Sequence, residues 1–116
     1  MLPSRLRLKR RSDFGRVYSK GRSYATGLVV VYVLADNSPN TKIGFSVSKK
    51  LGGSVTRNRV RRLLAEAVRS FLVRIKPGNH IVVVARVKAG TATFLDITAA
   101  LEAALSRSGV LDAHNL

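Results

Sequence analysis

The 116-residue sequence predicts an α+β chain, a single-domain α/β sandwich in which a mixed sheet is packed with helices. Three observations carry this expectation. Hydrophobic residues make up 46% of the chain, enough for one modest core and too many for a disordered basic tail. Two apolar, β-branched runs, residues 26–35 and 80–87, read as buried strands. Segments of helical spacing interrupt the strands, in the order helix, strand, strand, helix, strand, helix.

Residues 1–11 alternate Leu6 and Leu8 with Arg5, Arg7 and Lys9, which fits either an edge strand or an extended basic arm. A short helix is expected over about 12–20, with Ser12 as N-cap, Asp13 in the first turn and Gly21 as stop. Phe14, Val17 and Tyr18 carry its spacing. The run 26–35 follows as a strand, ended by Asp36-Asn37-Ser38-Pro39-Asn40. From Lys42 to Ser48 the pattern alternates, with Ile43, Phe45 and Val47 on one face.

After Gly52-Gly53, a long helix is expected from Ser54 or Val55 to Ile75, stopped by Pro77-Gly78. Val60, Leu63, Leu64, Ala67 and Phe71 form its apolar stripe, with Asn58, Arg62 and Arg69 opposite. The strand at 80–87 comes next, and the intervening helix predicts that it pairs in parallel with the 42–48 strand. A last helix over about 91–107 uses Phe94, Ile97, Leu101, Ala104 and Leu105. The whole chain, 1–116, is read as one domain, with residues 107–116 as a loosely ordered tail.

The charge is as informative as the apolar pattern. The chain has 21 Lys and Arg against 6 Asp and Glu, a formal +15. Of these, 18 cations and three acids fall in residues 1–76, so the entire excess lies there. A localised positive field points to a polyanion, with nucleic acid foremost. Its densest stretch is Thr56-Arg57-Asn58-Arg59-Val60-Arg61-Arg62, at the start of the long helix. A helix N-terminus already carries about half a positive charge, so arginines there are repelled unless an outside anion offsets them. Phosphate suits both the free N–H groups and the guanidinium forks. Around the helix the arginines span an arc, with Arg57 and Arg61 on one flank and Arg59 towards the other.

Several classes are excluded. There is no cysteine, hence no disulfide or thiolate metal site. His80 and His114 lie far apart without acids at ligand spacing, and no metal site is expected on the protein. The six acids are scattered singly, so neither a paired-carboxylate nor a Ser/His/Asp constellation is present and no catalytic residue is assigned. His80 reads as a turn or edge residue. No apolar run approaches the roughly 20 residues of a membrane span, and the start lacks the core of a secretory signal. A soluble cytoplasmic protein with no membrane association is expected.

One stretch carries a family likeness: Lys42-Ile43-Gly44-Phe45-Ser46-Val47-Ser48-Lys49-Lys50-Leu51-Gly52, then Ser54-Val55-Thr56-Arg57-Asn58-Arg59 and Val60-Arg61-Arg62-Leu63. With Leu8-Lys9, Asp13-Phe14, Val17-Tyr18 and Gly21 before it, and residues 80–86 after it, it resembles the protein subunit of bacterial ribonuclease P. The likeness covers about residues 6–105. It implies a ribosomal protein S5 domain 2-like fold with a left-handed βαβ crossover, which spacing alone would not suggest because such crossovers are right-handed in about 98% of cases. It also implies a function. The protein binds a catalytic ribonuclease P RNA and the 5′ leader of precursor tRNA, and the RNA, with Mg2+, hydrolyses the phosphodiester. The expected partners are that RNA and precursor tRNA, with no obligate protein partner.

By the same resemblance, Lys49, Lys50, Arg57, Asn58, Arg59, Arg61 and Arg62 lie against the RNA subunit. The alternative is a solvated basic face, with Asn58 bracing the Gly52-Gly53 turn. Phe14, Tyr18 and Tyr32 match aromatics of a cleft that receives the leader, where stacking is worth about 1–3 kcal/mol per base. Their alternative is simple core packing, with Tyr18 the more exposed of the helical pair. Arg10, Arg11 and Arg16, with Lys20 and Arg22, are expected to add contacts near the cleft. A structural RNA-binding protein such as a ribosomal component remains the alternative function, and a self-sufficient nuclease is disfavoured by the missing acid cluster.

Overall fold

The computed structural model describes residues 2–112. Helix α1 (Arg11–Lys20) leads into strands β1 (Arg22–Ala25), β2 (Val29–Ala35) and β3 (Lys42–Ser46). Helix α2 (Ser54–Arg69), strand β4 (Asn79–Ala85) and helix α3 (Phe94–Ser108) complete the order. Short 3-10 turns lie at Ser4–Leu6, Lys49–Leu51, Leu72–Arg74 and Val87–Thr91.

The four strands form one mixed sheet in the order β1-β2-β4-β3. β1 and β2 are antiparallel, as are β2 and β4, whereas β3 and β4 run parallel as the helix between them required. Alternation along each strand sorts side chains to two faces. On one face Val29, Val31, Ile43, Ile81, Val83 and Ala85 meet Val60, Leu64, Ala67 and Val68 of α2 and Ile97, Leu101, Ala104 and Leu105 of α3. The other face carries α1 and the N-terminal arm, and there the fully buried Val17 of α1 packs with Leu8 of the arm and Val82.

Several sequence-based boundaries move. β1 was not anticipated, and the 26–35 strand begins only at Val29 because residues 26–28 form the β1–β2 turn. There Thr26 Oγ1 accepts from the Val29 amide at 3.0 Å. α1 starts at Arg11, with Arg10 at the cap position and no side-chain cap, so Ser12 is not the N-cap. α2 stops at Arg69, not Ile75; Phe71 and Ile75 still reach the core, through a turn and the Leu72–Arg74 3-10 segment.

α3 begins later than expected. Its first turn is closed by a capping box in which Thr93 accepts from the Asp96 amide at 3.1 Å. Phe94 sits in that turn, 40% exposed, instead of in the buried stripe. The N-terminal arm makes one parallel bridge, Arg7 to Ile43, and buries Leu8. Residues 107–112 are no loose tail: Val110 and Leu111 are buried, and Leu111 bridges Ile75. The remainder of the expected tail, and His114, lie outside the described residues.

Candidate nucleic-acid interface

β3 delivers the chain to the interface. At its C-terminal end Ser48 Oγ accepts from the Lys50 amide at 3.3 Å and the chain tightens into the Lys49–Leu51 turn. Gly52 then takes φ +138° and ψ −162°, a conformation open only to glycine, and α2 begins two residues later, at Ser54. The Gly53 cap offers no side chain to the first amides, and the first turn holds no acid. The positive end of α2 is therefore neutralised neither by a side-chain cap nor by an acid of its own first turn.

The seven residues expected here do not act alike. Lys49, Lys50 and Arg62 are exposed, and the first two sit on the turn immediately before α2. Arg61 donates from Nη1 to Asn58 Oδ1 at 3.0 Å, so Asn58 braces its neighbour one turn along and not the Gly52-Gly53 turn. Arg57 is half-buried, and its Nε is covered without a hydrogen-bond partner among the described residues. Arg59 turns inward. Its Nη2 donates to the Ala92 carbonyl at 2.9 Å and its Nη1 to that of Gly90 at 3.4 Å, tying α2 to the connection before α3.

The aromatic side chains assemble on the opposite face of the sheet. α1 crosses that face near the end where β3 and β4 begin. Tyr18, 39% exposed, meets Tyr32 of β2 edge-to-face with ring centroids 5.0 Å apart. Phe14 is half-buried, with its ring occupying the space a Cβ on Gly44 would take. Phe14 and Tyr32 are thus wall and floor together, part core and part surface. Beyond α1 the sheet continues uncovered, where Val30, Val84 and Ser46 lie side by side in register and stay half-buried. They extend the aromatic floor into a shallow apolar trough. Because Ser46 ends β3, this trough opens at the same end of the sheet as the Lys49–Leu51 turn and the start of α2.

The cations expected beside the trough divide. Arg11 is exposed and lies seven residues before Tyr18, hence on the same stripe of α1. Arg10 pairs with Asp13 at 3.4 Å. Arg16 points away from the trough and pairs with Asp36 at 2.8 Å, and Asp36 also lies 3.2 Å from His80 Nε2. His80 is accordingly neither a turn nor an edge residue: it sits in β4, between two neighbouring strands. Lys20 and Arg22 leave the trough altogether and line a cavity at the far edge of the sheet.

Reading the residues singly missed Val30, Ser46 and Val84, although the alternation of Tyr32 with Val30 would have put those two on one face. No group of three or more His, Asp or Glu side chains that could hold a metal ion occurs among the described residues. No helix there is long and apolar enough to cross a membrane. What the arrangement offers is a binding surface: an uncapped helix start flanked by arginines and lysines, and an aromatic trough of the kind on which unpaired bases can stack.

Comparison with known proteins gives a consistent neighbourhood. The family model described as Ribonuclease P matches residues 2–109. The ribonuclease P protein component of Clostridioides difficile is 45% identical over 104 residues, covering 89% of this chain and 91% of that one. The solved RNase P protein of Staphylococcus aureus is similar with a TM-score of 0.84 and 37% identity, over 92% of this chain and 98% of the other. That of Thermotoga maritima gives a TM-score of 0.79 at 28% identity, over 87% and 96%.

Proposed function

Because the chain belongs to the ribonuclease P protein family, and so to a subunit of an RNA-processing endoribonuclease, we propose how its surfaces divide the work. Lys49, Lys50, Arg57, Arg61 and Arg62 hold the ribonuclease P RNA. The trough formed by Phe14, Tyr18, Tyr32, Val30 and Val84 receives the single-stranded 5′ leader of precursor tRNA, with Arg11 over its backbone. The observation that carries this reading is that the trough running from the Tyr18–Tyr32 pair opens, at Ser46, at the same end of the sheet as the uncapped, acid-free start of α2.

The chemistry of each surface fits its ligand. Guanidinium groups and lysines draw phosphates over the Debye length, about 8–10 Å at ordinary salt, and lower the repulsion between two RNA chains. Aromatic faces stack on any base, which suits a protein that meets leaders of many sequences. In this reading hydrolysis is performed by the RNA subunit with Mg2+, in the cytoplasm, and this chain binds and positions. The single acids and the Asp36–His80 pair supply no nuclease centre of the chain's own, and the matched relatives weigh against a ribosomal component.

Reconstitution tests it. At low salt, adding the protein to ribonuclease P RNA should lower the Mg2+ concentration needed to cleave precursor tRNA. A magnesium requirement unmoved by the protein would refute the reading, as would cleavage by rigorously RNA-free protein.

A further inference from the structure

Strand β2 outlasts its neighbour at the other end of the sheet. β1 pairs with it only as far as Arg22 opposite Val33, while β2 runs on through Leu34 and Ala35. The notch left at that edge opens into a cavity of about 430 Å³, bounded by the end of α3 at Ser108 and Gly109 and by the turn at residues 76–79. That volume falls within the roughly 300–1,000 Å³ of ordinary ligand sites.

Three exposed cations surround it, Lys20, Arg22 and Lys76, each from a different segment. No acid lines the cavity, and among the described residues none of the three is within ion-pair distance of a carboxylate. Complementing a helix C-terminus accounts for Lys20, in the last turn of α1. The carbonyl end of α3 borders the cavity as well and presents Arg22 and Lys76 with a partial negative charge, but a helix end supplies no full counter-charge for three cations. Like charges gathered without a counter-ion repel one another, so an anion that joined them would be bound favourably. The half-buried Tyr24 adds an aromatic wall to the same cavity. Cations beside an aromatic ring suit a phosphate carrying a base.

The placement separates this cavity from the interface above. Tyr24 sits on the face of the sheet opposite Tyr32, since its register partner is Val31. The start of α2 lies at the other end of the strands. A nucleotide held by the arginines or the trough cannot also occupy the notch. We propose that the notch is a second RNA-binding site, which takes a phosphorylated nucleotide of an RNA segment distinct from the one on α2.

The test is a titration of the isotopically labelled full chain at low salt, followed by amide chemical shifts. The probes are adenosine 5′-monophosphate, adenosine and inorganic phosphate. The monophosphate should shift Arg22, Tyr24, Ala35 and Gly109 saturably and bind more tightly than either part alone. The double substitution Arg22→Ala with Lys76→Ala should weaken that binding at least about tenfold, leaving shifts at α2 unchanged. Both side chains are exposed, so the variant keeps its fold, which its own spectrum verifies; Lys20→Ala gives a second, single-site check. Shifts confined to α2 and the trough, or unaltered affinity in the variants, would overturn the proposal. Phosphate binding as tightly as the nucleotide would overturn the base-binding part. Leader discrimination by the reconstituted complex reads only the trough and α2, so the two proposals fail separately.

Discussion

Arg59 and Arg62 have the same side chain, three positions apart on one helix, and opposite fates. Arg59 is spent on the carbonyls of Gly90 and Ala92, whereas Arg62 stands in solvent. Arg59→Ala should therefore lower unfolding free energy by about 1–3 kcal/mol in urea titrations, as loss of a charged donor leaves carbonyls unpaired. Arg62→Ala should stay within about 0.5 kcal/mol of the parent in the same measurement. It should instead weaken binding to the RNA subunit and reduce the slope of log affinity against log salt by about 1. The sequence showed both as members of one basic arc. It could not distinguish them, because the partners of Arg59 are 31 and 33 residues away.

Phe14 and Tyr18 divide similarly. Phe14 is wedged against Gly44, and Phe14→Ala should cost stability as well as binding, with a loss of about 1–3 kcal/mol in denaturant titration. The exposed Tyr18 ring should contribute mainly to ligand.

At the scale of elements, the seat of α1 depends on a glycine in another element. A methyl at Gly44 would collide with the Phe14 ring and crowd Leu8 Cβ, so Gly44→Ala should push α1 off the sheet. The expected outcome is a loss of about 1–3 kcal/mol in stability and a weaker hold on precursor tRNA, with affinity for the RNA subunit preserved. Unchanged precursor binding in a folded Gly44→Ala protein would separate α1 from the leader.

The parallel β3–β4 pair was legible, because an intervening helix leaves a parallel neighbour as the natural connection. β1 was not: Arg-Ser-Tyr-Ala has no alternating apolar face, and it is a strand only because β2 offers it an edge. The end of α2 was misplaced for a related reason. Phe71 and Ile75 keep helical phase into the core although the backbone has already tightened into a 3-10 turn.

For the whole molecule, topology turns scattered charges into surfaces. Much of the excess of residues 1–76 gathers in the turn-and-helix cluster at one end of the sheet, Arg11 beside the trough, and the Lys20, Arg22 and Lys76 notch at the other end. Composition announced a polyanion, and the motif around Arg57 resembled a family that comparison then matched across residues 2–109. Neither could show that Arg16 and His80 converge on Asp36, away from the trough. A formal +15 should make assembly with RNA steeply salt-dependent, with log affinity falling linearly in log salt. A flat salt response would mean that the charge is mere solubilisation.

The central claim is that the trough beside the arginine helix holds the leader. It is tested most directly by the affinity of the reconstituted complex for precursor tRNA relative to mature tRNA, measured for the parent protein and for Tyr18→Ala. The parent complex should prefer the precursor. Tyr18→Ala should lower precursor affinity by about 1–3 kcal/mol, the worth of one stacked base, and leave mature tRNA binding unchanged. Equal losses for both RNAs, or a preference for precursor that survives the substitution intact, would contradict it.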